Sequence, residues 1–229
     1  MTRYFFDIIE KLSNNQEIPY HLETKAIDLI DNISISEQGD IIRFILQQPK
    51  PSIIFYYFNN IKVLEHLFIY LFRLKSLVQN KKNSKNAFEH TLKVIDLIPF
   101  DDIDLRWCGL FHDLGKYDSY NANNNFFNHA IFSSKLTESF VNLFNIEHKD
   151  KIISVVSNHM YPLDYQRTPD WTDEAIIRFI NRCNKLYVID VVNFAYYDKK
   201  SENDYESYLK PIIELRNKIK YIIDKKSRD

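Results

Sequence analysis

Apolar residues recur at helical spacing along almost the whole chain. Leu22, Ala26, Leu29, Ile30 and Ile33 form one stripe, and Ile41, Ile42, Ile45 and Leu46 form another, which Pro49 and Pro51 terminate. Ile53–Phe58 and Ile61–Leu74 read as two more short helices. The spacing then predicts helices over about Ala87–Ile98, Ile103–Leu114, His129–Phe144, Lys149–His159, Thr172–Cys183, Leu186–Tyr197 and Tyr205–Ile223. Pro99 ends the first of these, Gly115 stands at the C′ position of the second, and Thr172 is a fair N-cap. No strand pair is expected, and the asparagines at 121, 123, 124 and 125 mark loops. The expected class is all-α. The polar, basic stretch Gln79–Lys85 is the expected boundary between a helical N-terminal region (1–80) and a second helical domain (81–229).

Composition narrows this picture. Hydrophobic residues make up 45% of the 229, which excludes a disordered chain. Only three glycines are present, so a turn-rich sandwich or barrel is disfavoured, and neither a dinucleotide fingerprint nor a P-loop can be assembled. A net charge of −1 gives no global basic field for bulk nucleic-acid binding. The two cysteines form no C-x-x-C, which fits a reducing, cytoplasmic compartment. The first residues, with one early Arg followed by acids, do not read as a signal peptide. The longest apolar run, near Val63–Leu77, is broken by Glu65, His66, Arg73 and Lys75, so no transmembrane helix is expected.

The candidate chemistry lies in the histidines. His90, His112, His129 and His159 each align with a core-facing stripe, and His112 directly precedes Asp113. A buried imidazole needs a hydrogen-bond partner or a metal. One such histidine alone is an ordinary core residue, but four with an adjoining aspartate point to a metal site assembled from several helices. Imidazole and carboxylate without thiolate suit Mn, Fe, Co, Ni or Zn, as one ion or two bridged by Asp113. Metals so held suit phosphoester hydrolysis by an activated water. His21, His66 and His148 read as surface or cap residues.

These residues resemble a known family. His90, then LFHDLGK (Leu110–Lys116), then later His and Asp, is similar to the H…HD…H…H…D pattern of the HD superfamily of metal-dependent phosphohydrolases. The nearest likeness is to the HD-containing part of bacterial CCA-adding tRNA nucleotidyltransferases. AFEHTLKVIDLIP, LRWCGLFHDLGK, FFNHA, VVSNHM and WTDEAIIRFINR carry it, and it runs from about Lys11 to about Asn217. The resemblance implies an HD-domain helical bundle. It makes His90, His112 and Asp113 the first metal ligands, and His129 and His159 the pair serving a second ion. Counted forward from Phe179 without a gap, the last ligand falls on Asp198, with Asp190 the competitor. The two lie roughly 12 Å apart along one helix, so both cannot ligate one ion. Ala130 and Tyr197 depart from the family's usual Glu and Ala, which bears on the second metal more than the first. The Gly-Ser segment of the family's nucleotidyltransferase head is missing, so nucleotide addition is not expected.

Asp113 and Lys116 are the candidate catalytic residues. Lys116 either balances phosphate charge or caps the C-terminus of its helix. Arg178 and Arg182, one turn apart, either contact a substrate phosphate or form a solvated face. Lys81, Lys82 and Lys85 could touch an RNA backbone weakly, or simply be solvated. Trp107 and Trp171 read as core. The expected partner is a nucleotide or an RNA end carrying a phosphate such as a 2′,3′-cyclic phosphate. The same ligands would serve a di-iron oxygenase, and a non-enzymatic RNA-binding module is a third reading.

Overall fold

The computed structural model describes residues 2–80, 85–168, 171–202 and 205–225. The helices are α1 (Arg3–Ser13), α2 (Tyr20–Leu29), α3 (Ile35–Leu46), α4 (Pro51–Asn60), α5 (Leu64–Leu67), α6 (Ile69–Arg73), α7 (Ala87–Leu97), α8 (Ile103–Phe111), α9 (Lys116–Asn123), α10 (His129–Leu143), α11 (Lys149–Asn158), α12 (Tyr161–Arg167), α13 (Asp173–Cys183), α14 (Val188–Lys200) and α15 (Glu206–Lys225). The fold is all-α, as the periodicity predicts. Several details differ from expectation. Asn121 and Asn123, read as loop residues, lie in α9. β1 (Val78–Asn80) pairs antiparallel with β2 (Lys85–Asn86), Val78 opposite Asn86 and Asn80 opposite Lys85. A polar connection between two helices has backbone groups to satisfy, and this small ladder satisfies some of them.

Local chemistry explains where the helices begin. Ser34 and Glu37 close a reciprocal capping box on α3, and Pro51 opens α4 at a position where its missing N–H costs nothing. Asn86, Asp102 and Thr172 cap α7, α8 and α13 by accepting from Glu89, Leu105 and Ala175 N–H respectively. Left-handed backbone positions, usually glycine's, are taken here mostly by asparagine, with Lys62 and His148 the others. Asn15, Asn124, Asn128, Asn145 and Asn184 all have positive φ, and no glycine among the described residues does.

Helix α8 lies at the centre. Every residue from Leu105 to Phe111 on it is buried, as a helix surrounded by others must be. An aromatic cluster ties the N-terminal helices to it. Phe68 packs edge-on against Phe140 at 5.1 Å, and Trp107 lies 5.3 Å from Phe111. Arg106 adds a polar staple. Its guanidinium is 1% exposed and donates to the carbonyls of Leu46, Gln48 and Ile98.

The predicted helix Ile103–Leu114 stops earlier, at Phe111, and the chain turns through His112–Gly115 into α9. Gly115 is therefore not a left-handed C′ residue; its φ is −72°. Glycine is needed there for close approach. A Cβ would meet Ser133 N at 2.3 Å and His129 O at 2.6 Å, so α10 packs directly on the turn. That contact sets His129 beside Asp113. Predicted Ile61–Leu74 is likewise two helices, broken at Phe68, whose φ of −154° is extended. No helix among the described residues is long and apolar enough to cross a membrane.

Candidate metal centre

Five helical segments deliver six side chains to one point. His90 comes from the first turn of α7, His112 and Asp113 from the turn that ends α8, and His129 from the first residue of α10. His159 follows α11, and Asp198 lies near the end of α14. All but His90 are at least nine-tenths buried, and the His90 side chain is 12% exposed.

The imidazoles are oriented by their Nδ1 atoms. Those of His112, His129 and His159 lie 2.9, 2.9 and 2.7 Å from the carbonyls of Gly109, Phe126 and Val156. A carbonyl only accepts, so each Nδ1 carries the proton and each Nε2 is left as a bare lone pair. His90 Nδ1 lies 3.0 Å from Ser201 Oγ, whose own proton goes to Asp198 O at 2.7 Å. Ser201 therefore accepts from His90, which fixes the same tautomer. Carbonyl and hydroxyl partners of this kind commonly orient metal-binding histidines.

The Nε2 atoms then converge. His112 and His90 are 3.3 Å apart, and His129 and His159 are 3.2 Å apart. Two neutral acceptors at that distance repel unless a cation lies between them. Asp113 joins the two pairs. Its Oδ2 lies 3.2 Å from His112 Nε2 and 3.6 Å from His90 Nε2, while its Oδ1 lies 3.4 Å from His129 Nε2. Asp198 Oδ1 completes the first set, 3.0 Å from His90 Nε2 and 3.9 Å from His112 Nε2. Donors around an ion with bonds of about 2.0–2.2 Å stand roughly 3.0–3.5 Å apart, so the spacing suits direct coordination. The donors form two groups that could hold a divalent metal, His90, His112 and Asp113, and Asp113, His129 and His159, with Asp198 beside the first.

Burial alone would raise the Asp113 carboxyl, but His112 and Lys116 beside it hold it well below the usual range. Asp198 is lowered too, its burial outweighed by the His90 hydrogen bond and charge. Burial and the neighbouring His129 and His112 push His159 down to about 3, so it stands neutral. His112 is raised, because Asp113 and Asp198 outweigh its burial.

Lys116 opens α9, so it does not cap the C-terminus of a helix. Its Nζ donates to Asp113 Oδ2 at 2.6 Å and lies 5.8 Å from the Phe126 ring. Asp190 is elsewhere. It pairs with Lys151 at 3.5 Å, and Lys151 also reaches Asp104 at 3.3 Å. Eight residues of helix separate the two aspartates, and only Asp198 meets the histidines. Arg178 and Arg182 line a separate cavity beside α12 and α13. Arg182 is not simply solvated: its Nε donates to Asn158 Oδ1 at 3.0 Å. Trp107 is core, as expected, while Trp171 is half-buried at the wall of that cavity. Lys81 and Lys82 lie outside the described residues, and Lys85 lies in β2. His66 and His148 make surface pairs with Asp31 and Asp104.

Three supporting residues escaped the sequence reading. Ser201 orients His90, and Ser133 Oγ accepts from Gly115 N at 2.9 Å. The Phe194 ring stands 5.3 Å from His112 and 6.2 Å from His159, an apolar wall behind the cluster. Only Ser201 had a usable signal: it follows Asp198 by three residues, on the same helix face.

A family model described as HD domain matches residues 84–229. No curated protein matches the chain.

Proposed function

The chain belongs to the HD-domain family of metal-dependent phosphohydrolases, and we propose that it hydrolyses a phosphoester on a nucleotide or an RNA end, such as a 2′,3′-cyclic phosphate. The observation that carries this reading is Asp113, whose two oxygens face two separate histidine pairs. His90, His112, Asp113 and Asp198 would hold one divalent ion, and Asp113, His129 and His159 a second. A metal held there would supply Lewis acidity toward a phosphoryl oxygen and lower the pKa of a water, so that hydroxide is available near neutral pH.

The chain's own groups do the rest. The carbonyls of Gly109, Phe126 and Val156 hold three imidazoles in one tautomer, so no reorientation is needed during reaction. Phe194 and the buried α8 exclude bulk water from behind the cluster. Lys116, 12% exposed and next to Asp113, supplies positive charge for the non-bridging oxygens of the phosphate. Arg178 and Arg182 are assigned to the substrate further along. We take the segments around His90, Asp113, His129 and His159 as kin to the HD-containing part of the CCA-adding enzymes. We place the start of the HD unit near residue 81, with 1–80 as a helical preface; the family match beginning at residue 84 supports this.

The test is release of 2′- or 3′-AMP from 2′,3′-cyclic AMP with added Mn, Fe, Co, Ni or Zn. Turnover lost in His112→Ala and Asp113→Ala supports the reading. Oxygen uptake with iron, and no phosphoester cleavage with any of these metals, would replace it with an oxidative one.

A further inference from the structure

A cavity of about 410 Å³ lies against α12 and α13, lined by Tyr161, Trp171, Ala175, Arg178, Phe179 and Arg182. Its size falls in the range of small-molecule sites. Three aromatic rings wall it. Trp171 meets Phe179 edge-on at 5.8 Å, and Tyr161 lies 6.0 Å from Phe179. Ala175 leaves the space open between them. The two charged lining residues are both arginines, and none of the six is acidic. Glu174, at the start of α13, is held low by its own backbone N–H, by Thr172 and, one turn on, by the charge of Arg178. Arg178 makes no hydrogen bond among the described residues and is exposed. The Arg182 guanidinium lies over the Tyr161 ring at 4.5 Å, and its Nε is anchored on Asn158.

The cavity is separate from the metal centre but is linked to it through the chain. Asn158 immediately precedes His159, and Tyr161 follows His159 by two residues, so the Tyr161 Cα lies within about 7 Å of the His159 Cα. The segment that carries a metal-facing histidine therefore also carries the pocket's wall and the anchor of its arginine. Aromatic walls beside two guanidinium groups match one ligand chemistry, an aromatic ring joined to an anion. A nucleotide has both. Stacking and charge-assisted hydrogen bonds to phosphate are the usual means of holding one.

We propose that this cavity is the base-binding subsite of the enzyme, with a nucleobase among Tyr161, Trp171 and Phe179 and a phosphate on Arg178 and Arg182. The proposal rests on the hydrolase reading for the role of the ligand, but its test does not use activity.

Trp171 supplies the readout. The only other tryptophan, Trp107, is 1% exposed and cannot meet a ligand. Fluorescence of the full chain in EDTA is titrated with AMP, adenosine, inorganic phosphate and a short oligoribonucleotide bearing a 3′-phosphate. AMP is expected to quench Trp171 saturably, and Trp171→Phe to abolish the signal. Ala175→Phe fills the cavity from a half-buried helix face, and should abolish binding while leaving the melting temperature and the metal content unchanged. Arg178→Ala should weaken AMP roughly tenfold but leave adenosine unaltered, as expected for loss of one charged hydrogen bond. Tighter binding of the oligonucleotide than of AMP identifies an RNA end as the source of the ligand, and equal binding a free nucleotide. Absence of saturable quenching by AMP at millimolar concentration would overturn the proposal. So would unchanged AMP affinity in Ala175→Phe, or quenching by phosphate equal to that by AMP. Each of these results is independent of whether His112→Ala abolishes hydrolysis.

Discussion

The Nε2 atoms of His129 and His159 face one another at 3.2 Å, with each Nδ1 already committed to a backbone carbonyl. Neither ring can donate to the other in its neutral form. A cation resolves the repulsion, and a second opposed pair, His90 and His112, repeats the arrangement across Asp113. Metal binding is thus coupled to stability. An ion at 100 times its dissociation constant stabilises by about 2.7 kcal/mol. Chelation should lower the melting temperature by about 5–10 °C for a chain of this size. Scanning fluorimetry with and without EDTA reads this shift, and identical melting curves would contradict it.

Acid should act on the metal-free protein through His159. Its pKa is about 3 when folded and near 6.5 when unfolded, so the unfolded chain binds the proton first as pH falls. The sign follows: full stability above about pH 6.5, progressively lost toward pH 3. His112 is raised in the fold, so it gains stability as pH falls through 6.5 and opposes this loss; comparison with His159→Phe isolates the His159 part. Between pH 7 and pH 5 the His159 contribution is about 2 kcal/mol. Urea unfolding in EDTA should show that loss in the wild type beyond the loss in His159→Phe. Equal losses in both proteins would refute it.

Gly115→Ala tests whether the turn places α10. The added Cβ would lie 2.3 Å from Ser133 N and 2.6 Å from His129 O, and both are backbone atoms that cannot swing away. The variant should lose roughly 1–3 kcal/mol by overpacking. His129 should move with the helix, so activity should fall well beyond the loss of folded protein. Circular dichroism beside turnover at 10 °C separates the two effects. An active, equally stable Gly115→Ala would mean that α10 does not need this approach.

Arg106→Met tests the staple between the N-terminal helices and α8. Two buried carbonyls and one half-buried carbonyl would lose their donor, at a cost of about 3–5 kcal/mol. The urea midpoint should drop accordingly, while metal content per folded molecule stays the same. A variant within about 0.5 kcal/mol of wild type would show that water replaces the guanidinium.

Much of the site was legible before the fold. Periodicity placed His90, His112, His129 and His159 on inward stripes because a helix buries positions three and four apart. Gap-free counting chose Asp198, and the structure separates it from Asp190 by the length of helix between them. Other features were hidden because tertiary contacts decide them. The end of α8 at Phe111 carries no proline or left-handed glycine, and the turn exists because α10 crosses there. Ser201 carried one signal, its place three residues after Asp198, but the partner it orients, His90, lies 111 residues earlier. Trp171 looked like core because aromatic spacing does not tell a filled interior from an open wall. Asparagine at the left-handed positions, in a chain with three glycines, was legible only as loop composition.

The most direct test of the account is metal stoichiometry. Wild type, His129→Ala and Asp113→Ala would each be loaded with Mn or Fe, desalted and analysed by plasma mass spectrometry. Because Asp113 faces both histidine pairs, the account predicts up to two ions per wild-type chain, one fewer in His129→Ala, and none in Asp113→Ala. Wild-type protein that retains no Mn, Fe, Co, Ni or Zn, or three proteins with the same metal content, would contradict it.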